Sequence, residues 1–243
     1  MTRNSIGDTI EVVDKEIEGY KREAEAGDAI AQYNLGLCYS NGTGVTVNKR
    51  EAVKWYTRAA EGGDSNAQFN LGLCYRTGSG VTVDLREAVK WYKRAAEGGD
   101  SDAQFNLGAC YAKGTGVTVD LREAVKWYTR AAEGGNSNAQ YNLGCCFFNG
   151  TGVTVNNREA VKWYTRAAEA GKVEAQFNLG GCYFKGDGVD VDKREAIKWI
   201  TLAAEAGDIN AQKALGQIYK VGDGVAVDIQ ESNKWFAMAA VLR

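Results

Sequence analysis

Six cysteines and a recurrent glycine motif are the features of this 243-residue chain that could support chemistry. Five of the cysteines, Cys38, Cys74, Cys110, Cys146 and Cys182, recur every 36 residues. Such a series could form disulfides, hold zinc or supply a nucleophile. Spacing argues against the first two. If each interval is one structural unit, equivalent thiols lie about 8–10 Å apart, the separation of packed helices, which is too long for a bridge or a shared metal. Cys145 stands next to Cys146, too cramped for an ordinary disulfide. Reduced, half-buried thiols are the expectation, and no metal or cofactor is expected. The chain has no His, which removes His-dependent triads and the commonest general base; thiol or carboxylate catalysis stays formally open. The G-x-G-V motif, first at Gly42 to Val45, superficially resembles a phosphate loop, but no strand precedes it and no Lys-Ser or Lys-Thr follows. An enzyme needs a unique constellation, whereas nearly every polar residue here recurs. The chain is not expected to be an enzyme.

The elements that carry these residues follow from the same period. A shift of 36 brings Ala31, Ala67, Ala103, Ala139, Ala175 and Ala211 into register at the head of A-Q-x-x-L-G, and aligns all six Trp residues. A fixed period of that size is the signature of a solenoid whose units bury their apolar faces by stacking. Ala31, Leu35 and Tyr39 share one face of a helix A running from Ala31 to about Asn41. Gly36 inside it implies close approach of a partner helix. Ala52, Val53, Tyr56, Ala59 and Ala60 form the stripe of a helix B from Arg50 to Glu61. Asn48 is placed to cap that helix with Glu51 reaching back to complete a capping box, a device repeated by Asp84 with Glu87, Asp120 with Glu123 and Asp192 with Glu195. Gly63, Gly99, Gly135, Gly171 and Gly207 stand where a left-handed closing residue is needed. In the G-x-G-V-x-V connector, Val45 and Val47 are expected to tuck beneath the helix pair. Periodicity assigns Tyr56 to the core and Trp55 to the packing between repeats.

The ends differ from the middle. Ile17, Tyr20 and Gly27 precede Val53, Tyr56 and Gly63 by 36 residues, so residues 11–27 read as a lone helix B that caps the stack. At the other end a helix B from Glu231 to about Leu242 carries Trp235, Phe236 and Met238 and stops where another helix A would cover it. Either that surface self-associates or the native array is longer.

Composition narrows the partners. Apolar residues at 44% and charged residues at 25% describe a chain that folds, and a net charge of −2 supplies no basic field for nucleic acid or an anionic membrane. The opening MTRNSIGDTIEVV lacks the apolar segment of a secretory signal, and no stretch of about eighteen apolar residues occurs. A cytoplasmic protein with no membrane insertion is expected.

The segments A-x-x-x-L-G-x-x-Y, G-x-G-V and E-A-x-K-W-Y-x-R-A-A-E-x-G, repeated along nearly the whole chain, resemble the Sel-one-like repeat (SLR) family, a subclass of tetratricopeptide-like repeats. The chain departs from the family in having no Pro in its loops. The resemblance implies an all-α fold, an α-solenoid coiled as a right-handed superhelix of two-helix repeats. The expected organisation is a capping helix at 1–30 followed by repeats 31–66, 67–102, 103–138, 139–174, 175–210 and 211–243 in one continuous domain. It also implies a protein-interaction adaptor whose A helices line a concave surface, where an Asn before the Leu-Gly pair bonds the main chain of a bound peptide. That role falls on Asn34, Asn70, Asn106, Asn142 and Asn178, whose amides both donate and accept. The alternative is that these Asn side chains tie neighbouring repeats together. Ala214 breaks the series, consistent with a cap, and the basic residues that accompany such an Asn in carboxylate clamps are missing from the matching places. The copies differ at the end of helix A, where Arg76, Lys113, Phe148, Phe184 and Lys185 are candidate specificity positions, the aromatic pair as anchors; neutral drift is the competing explanation. A protein or peptide partner is therefore expected. A spacer, a fragment of a larger scaffold or a consensus-designed array would share this sequence pattern. A helical-repeat nucleic-acid reader would want a basic groove and residues that vary systematically between copies.

Overall fold

The computed structural model describes residues 16–241, and every regular element among them is an α-helix. Helix α1 covers 16–25. The A helices are α2 (Ala29–Asn41), α4 (Ser65–Thr77), α6 (Ser101–Lys113), α8 (Ser137–Asn149), α10 (Val173–Lys185) and α12 (Ile209–Val221). The B helices are α3 (Lys49–Glu61), α5 (Leu85–Glu97), α7 (Leu121–Glu133), α9 (Asn157–Glu169), α11 (Lys193–Glu205) and α13 (Ile229–Val241). None of them is long and apolar enough to cross a membrane. The chain divides into two compact units between Asp120 and Leu121. The first holds α1–α6 and the second α7–α13. Within each, A and B helices pair as hairpins and each B helix packs on the next A helix.

The A helices start two residues earlier than the apolar pattern predicts, because their caps lie outside it. The Asp28 side chain accepts from the Ala31 amide at 2.7 Å, and Asp64, Asp100, Asn136 and Asp208 repeat the contact. Lys172 takes that place before α10 and makes no side-chain cap. The B helices start one residue before the expected Arg50. Asn48 does accept from the amides of Arg50 and Glu51. The reciprocal half of the capping box is not formed. The Asn48 amide instead donates to the Tyr39 carbonyl at 2.8 Å, and Glu51 turns outward to Lys54. Asp84 and Asp192 show the same arrangement, their amides bonding Tyr75 and Tyr183 while Glu87 and Glu195 pair with Lys90 and Lys198. Asp120 likewise donates to the Tyr111 carbonyl, and Glu123 pairs with Lys126. The loop thus ties helix A to helix B with the donor that the box would have used.

Leu35, Leu71, Leu107, Leu143, Leu179 and Leu215 are fully buried and anchor each hairpin. Gly36 gives the Tyr56 ring its seat: a Cβ there would lie 2.6 Å from Tyr56 Cδ1. In the G-x-G-V loop the second glycine is equally constrained. A Cβ on Gly80, at φ +78°, would overlap the Lys49 carbonyl oxygen of the preceding repeat. The motif therefore presses one repeat on the next. Val81, Val189 and Val225 pack on the core as expected of the first valine. The second valine does not tuck under: Val47 and its equivalents stay more than half exposed, each with one methyl over the first loop glycine.

Gln32, Gln68, Gln104, Gln140, Gln176 and Gln212 are buried, and each donates its amide to a carbonyl near the end of the preceding B helix or of α1, as Gln68 does to Ala60 at 3.1 Å. Each of these carbonyls also accepts the closing glycine's N–H, as Ala60 does from Gly63 at 3.2 Å, so the glutamine supplies a second donor to the helix end. The Trp side chains pack between repeats, Trp91 against Ala52, Tyr56 and Leu71, and Trp235 against Ile197 and Leu215. Ala24 and Tyr20 of α1 pack on Ala31 and Leu35, as a lone helix B would; residues 11–15 of the expected capping helix and Leu242 lie outside the described residues. On α13 Trp235 is buried rather than uncovered, leaving Phe236 and Met238 partly exposed.

Candidate functional site

The periodic cysteines sit where burial keeps them protonated. Burial pushes the thiols of Cys38, Cys74 and Cys110 up, and those of Cys146 and Cys182 up to about 11. A thiol in that state is a poor nucleophile near neutral pH. Among the described residues no group of three or more Cys, Asp or Glu is placed to hold a metal ion.

The five Asn side chains are all half-buried but differ in their bonds. Asn70 donates to the Tyr33 hydroxyl of the preceding repeat at 3.4 Å, and Asn106 donates to the Asp102 carbonyl one turn back at 2.8 Å. The Asn178 side chain lies beside the Tyr141 and Tyr164 phenols and favours their ionised forms. Asn34 and Asn142 make no side-chain hydrogen bond among the described residues, so their amides are available to a ligand. Of the specificity candidates in the first unit, Arg76 donates to the Tyr92 hydroxyl at 3.0 Å and Lys113 is exposed.

In the second unit the structure gathers the remaining candidates. Phe148, Asn178, Phe184 and Lys185 line a single cleft of about 680 Å³ bounded by α8, α10 and α12 and floored by Tyr164 and Ile200 of the B helices. That volume falls in the range of about 300–1,000 Å³ typical of ligand pockets. The cleft exists because three side chains in it are smaller than their counterparts in other repeats. Gly181 occupies the place of Leu37 and Leu73, Ile200 that of Tyr56, Tyr92, Tyr128 and Tyr164, and Ala214 that of the five Asn residues. All three line the cavity. In the first unit the corresponding Tyr92 is covered by Arg76, whereas Ile200 has neither ring nor hydroxyl to fill the space.

One wall of the cleft is polar and already paired. The Tyr164 hydroxyl donates to Cys145 Sγ at 3.4 Å. Burial, reinforced by Cys145, pushes the Tyr141 phenol up to about 12 and raises Tyr164, while the neighbouring Asn178 amide opposes the rise. Both phenols therefore remain neutral donors. Apolar rings complete the lining, with Phe148 at 6.4 Å ring to ring from Tyr164 and Phe184 at 5.6 Å from the Lys193 ammonium. Lys193 also pairs with Asp223 at the mouth. Comparing the copies column by column finds Phe148 and Phe184, but reading Ala214 only as a sign of an end cap missed the cavity.

The six units 29–64, 65–100, 101–136, 137–172, 173–208 and 209–240 each match the Sel1 repeat model. The chain is similar to a protective antigen of uropathogenic Escherichia coli strains that displays an SLR fold, at 40% identity and a TM-score of 0.89 over 93% of this chain, and it spans 48% of that antigen's chain. It is also similar to a Sel1 repeat protein from Oxalobacter formigenes, at 36% identity and a TM-score of 0.76, covering 95% of this chain and 96% of that one. PilF of Pseudomonas aeruginosa, at 15% identity and a TM-score of 0.60 over 92% of this chain and 93% of its own, shares the fold alone. No curated protein matches the chain.

Proposed function

The chain belongs to the Sel1 repeat family, whose members are generally protein-interaction scaffolds, and we propose that it acts as an adaptor holding a segment of another protein on its A-helix surface, with the cleft of the second unit as the anchoring point. The observation that carries this reading is the convergence of Gly181, Ile200 and Ala214 on one cavity beside Phe148 and Phe184. Binding energy in such contacts concentrates where an apolar side chain fills a desolvated pocket flanked by aromatic residues. The amides of Asn34 and Asn142 are spare groups that suit main-chain contacts of any sequence. No catalytic step is assigned to the chain; burial keeps the periodic thiols protonated, and Asp223, one of the two carboxylates lining the cleft, is held by Lys193. A cytoplasmic location remains part of this proposal.

The test is a displayed peptide library selected on the wild-type chain and rescreened on the double variant Gly181→Leu, Ala214→Asn. That variant restores residues other repeats carry at those places, so it fills the cleft while keeping the hairpin geometry. Sequences that bind the wild type and are lost on the filled variant support the adaptor reading. Selection of nothing, or of sequences that bind both equally, would remove the cleft from the function.

A further inference from the structure

The A helices that bound the cleft carry mostly positive charge. On α8, α10 and α12 there are three lysines, Lys185, Lys213 and Lys220, and a single carboxylate, Glu174. Glu174 is held by Lys172 at 3.1 Å, and Asp223 at the mouth is paired with Lys193. Asp187 is then the one lining carboxylate without an ion pair, whereas Lys185, Lys213 and Lys220 have no such partner among the described residues. Lys213 and Lys220 stand four residues before and three after Gln217, which lines the cleft, so helical spacing puts them on the stripe that borders it. All three lysines are exposed. The chain as a whole has net charge −2, so this rim is locally opposite in sign to the molecule.

Resting on the reading of the cleft as the docking point, we infer that its occupant is an acidic amphipathic segment of a partner protein, in which large apolar side chains enter between Phe148 and Phe184 and flanking carboxylates meet Lys185, Lys213 and Lys220. The apolar walls supply affinity without selecting a sequence, because Phe, Leu and Met side chains fit such a surface alike. The lysines supply the discrimination: a basic flank meets like charge and a neutral flank leaves the ammonium groups unpaired. The Tyr141 and Tyr164 phenols, the second of which already donates to Cys145, offer no cation to a charged anchor, which keeps the carboxylates at the rim.

Three pools of short fluorescein-labelled peptides test this, each with the same mixture of Phe, Leu and Met at its core positions and with flanks of Glu, of Gln or of Lys. Fluorescence anisotropy is read on the full chain, on the filled variant Gly181→Leu, Ala214→Asn, and on the triple variant Lys185→Gln, Lys213→Gln, Lys220→Gln. At low ionic strength the Glu pool is expected to bind about tenfold tighter than the Gln pool, the combined worth of three partly exposed ion pairs. That margin closes in high salt and in the triple variant, and the filled variant loses the Glu pool. Equal affinity for the Glu and Gln pools, or preference for the Lys pool, overturns the acidic segment while leaving the cleft as a docking point. A Glu pool that binds the filled variant as well as the wild type, or no binding by any pool, overturns both.

Discussion

Gly180 lies against Ile200, so close that a Cβ on the glycine would stand 2.6 Å from Ile200 Cγ1 and 2.9 Å from the Ala196 carbonyl oxygen, whereas one on Gly181 would meet nothing within 4 Å. Two adjacent glycines of α10 thus have opposite meanings. The first permits the hairpin to close, and the second leaves the cleft empty.

The pair gives a prediction of opposite signs. Gly180→Ala forces backbone or Ile200 to move and is expected to cost about 1–3 kcal/mol, the usual penalty for overpacking. Gly181→Ala has room and gains helix propensity, so it is expected to be neutral or to stabilise by up to about 1 kcal/mol. Urea midpoints of the two variants measure both. Similar losses for the two would contradict the assignment of different roles.

The buried glutamines are expected to matter more to stability than the asparagines. Gln68→Ala removes the amide's hydrogen bond to the Ala60 carbonyl and a buried side chain, with an expected loss of about 1–2 kcal/mol. Asn34→Ala removes no hydrogen bond among the described residues and is expected to stay within about 0.5 kcal/mol of wild type. The same denaturation series reads both.

Alkaline pH should destabilise the fold. Burial raises the thiols of Cys146 and Cys182 to about 11, from an ordinary value of 9.0, and the Tyr92 phenol to about 12, from 10.0. The unfolded chain loses these protons first, so it binds fewer protons than the folded chain from about pH 9 to 12, and stability falls as pH rises. The contribution is fully present below the unfolded values and is gone above the folded ones. Urea midpoints taken under reducing conditions at about pH 7, 9 and 10.5 are expected to fall in that order; a flat profile would mean that these groups are not buried as described.

The repeat architecture is legible in the sequence because six copies average out local ambiguity: Ala31 and Leu35 mark the same core positions in all six, and the Tyr56 position is buried in the first five. Helix ends were less legible. Asp28 caps from outside the apolar stripe, and the Asn48 amide was already committed to the Tyr39 carbonyl, a tertiary contact that no local motif encodes. The cleft was the hardest to see. Gly181, Ile200 and Ala214 each read singly as a tolerated replacement, and only stacking of α10 and α12 brings the three absences into one volume. Phe148 and Phe184 could be found because added bulk on a repeat surface is conspicuous, while missing bulk is not.

The most direct test of the central claim follows the isoleucine methyl signals of the isotope-labelled chain while a peptide selected on the wild type is titrated in. Ile200 and Ile218 line the cleft, whereas Ile17 and Ile30 belong to α1 and α2 in the first unit. The account predicts saturable shifts at Ile200 and Ile218 with Ile17 and Ile30 unmoved, and loss of those shifts in the Gly181→Leu, Ala214→Asn variant. Unchanged Ile200 and Ile218 signals at saturating peptide would contradict it.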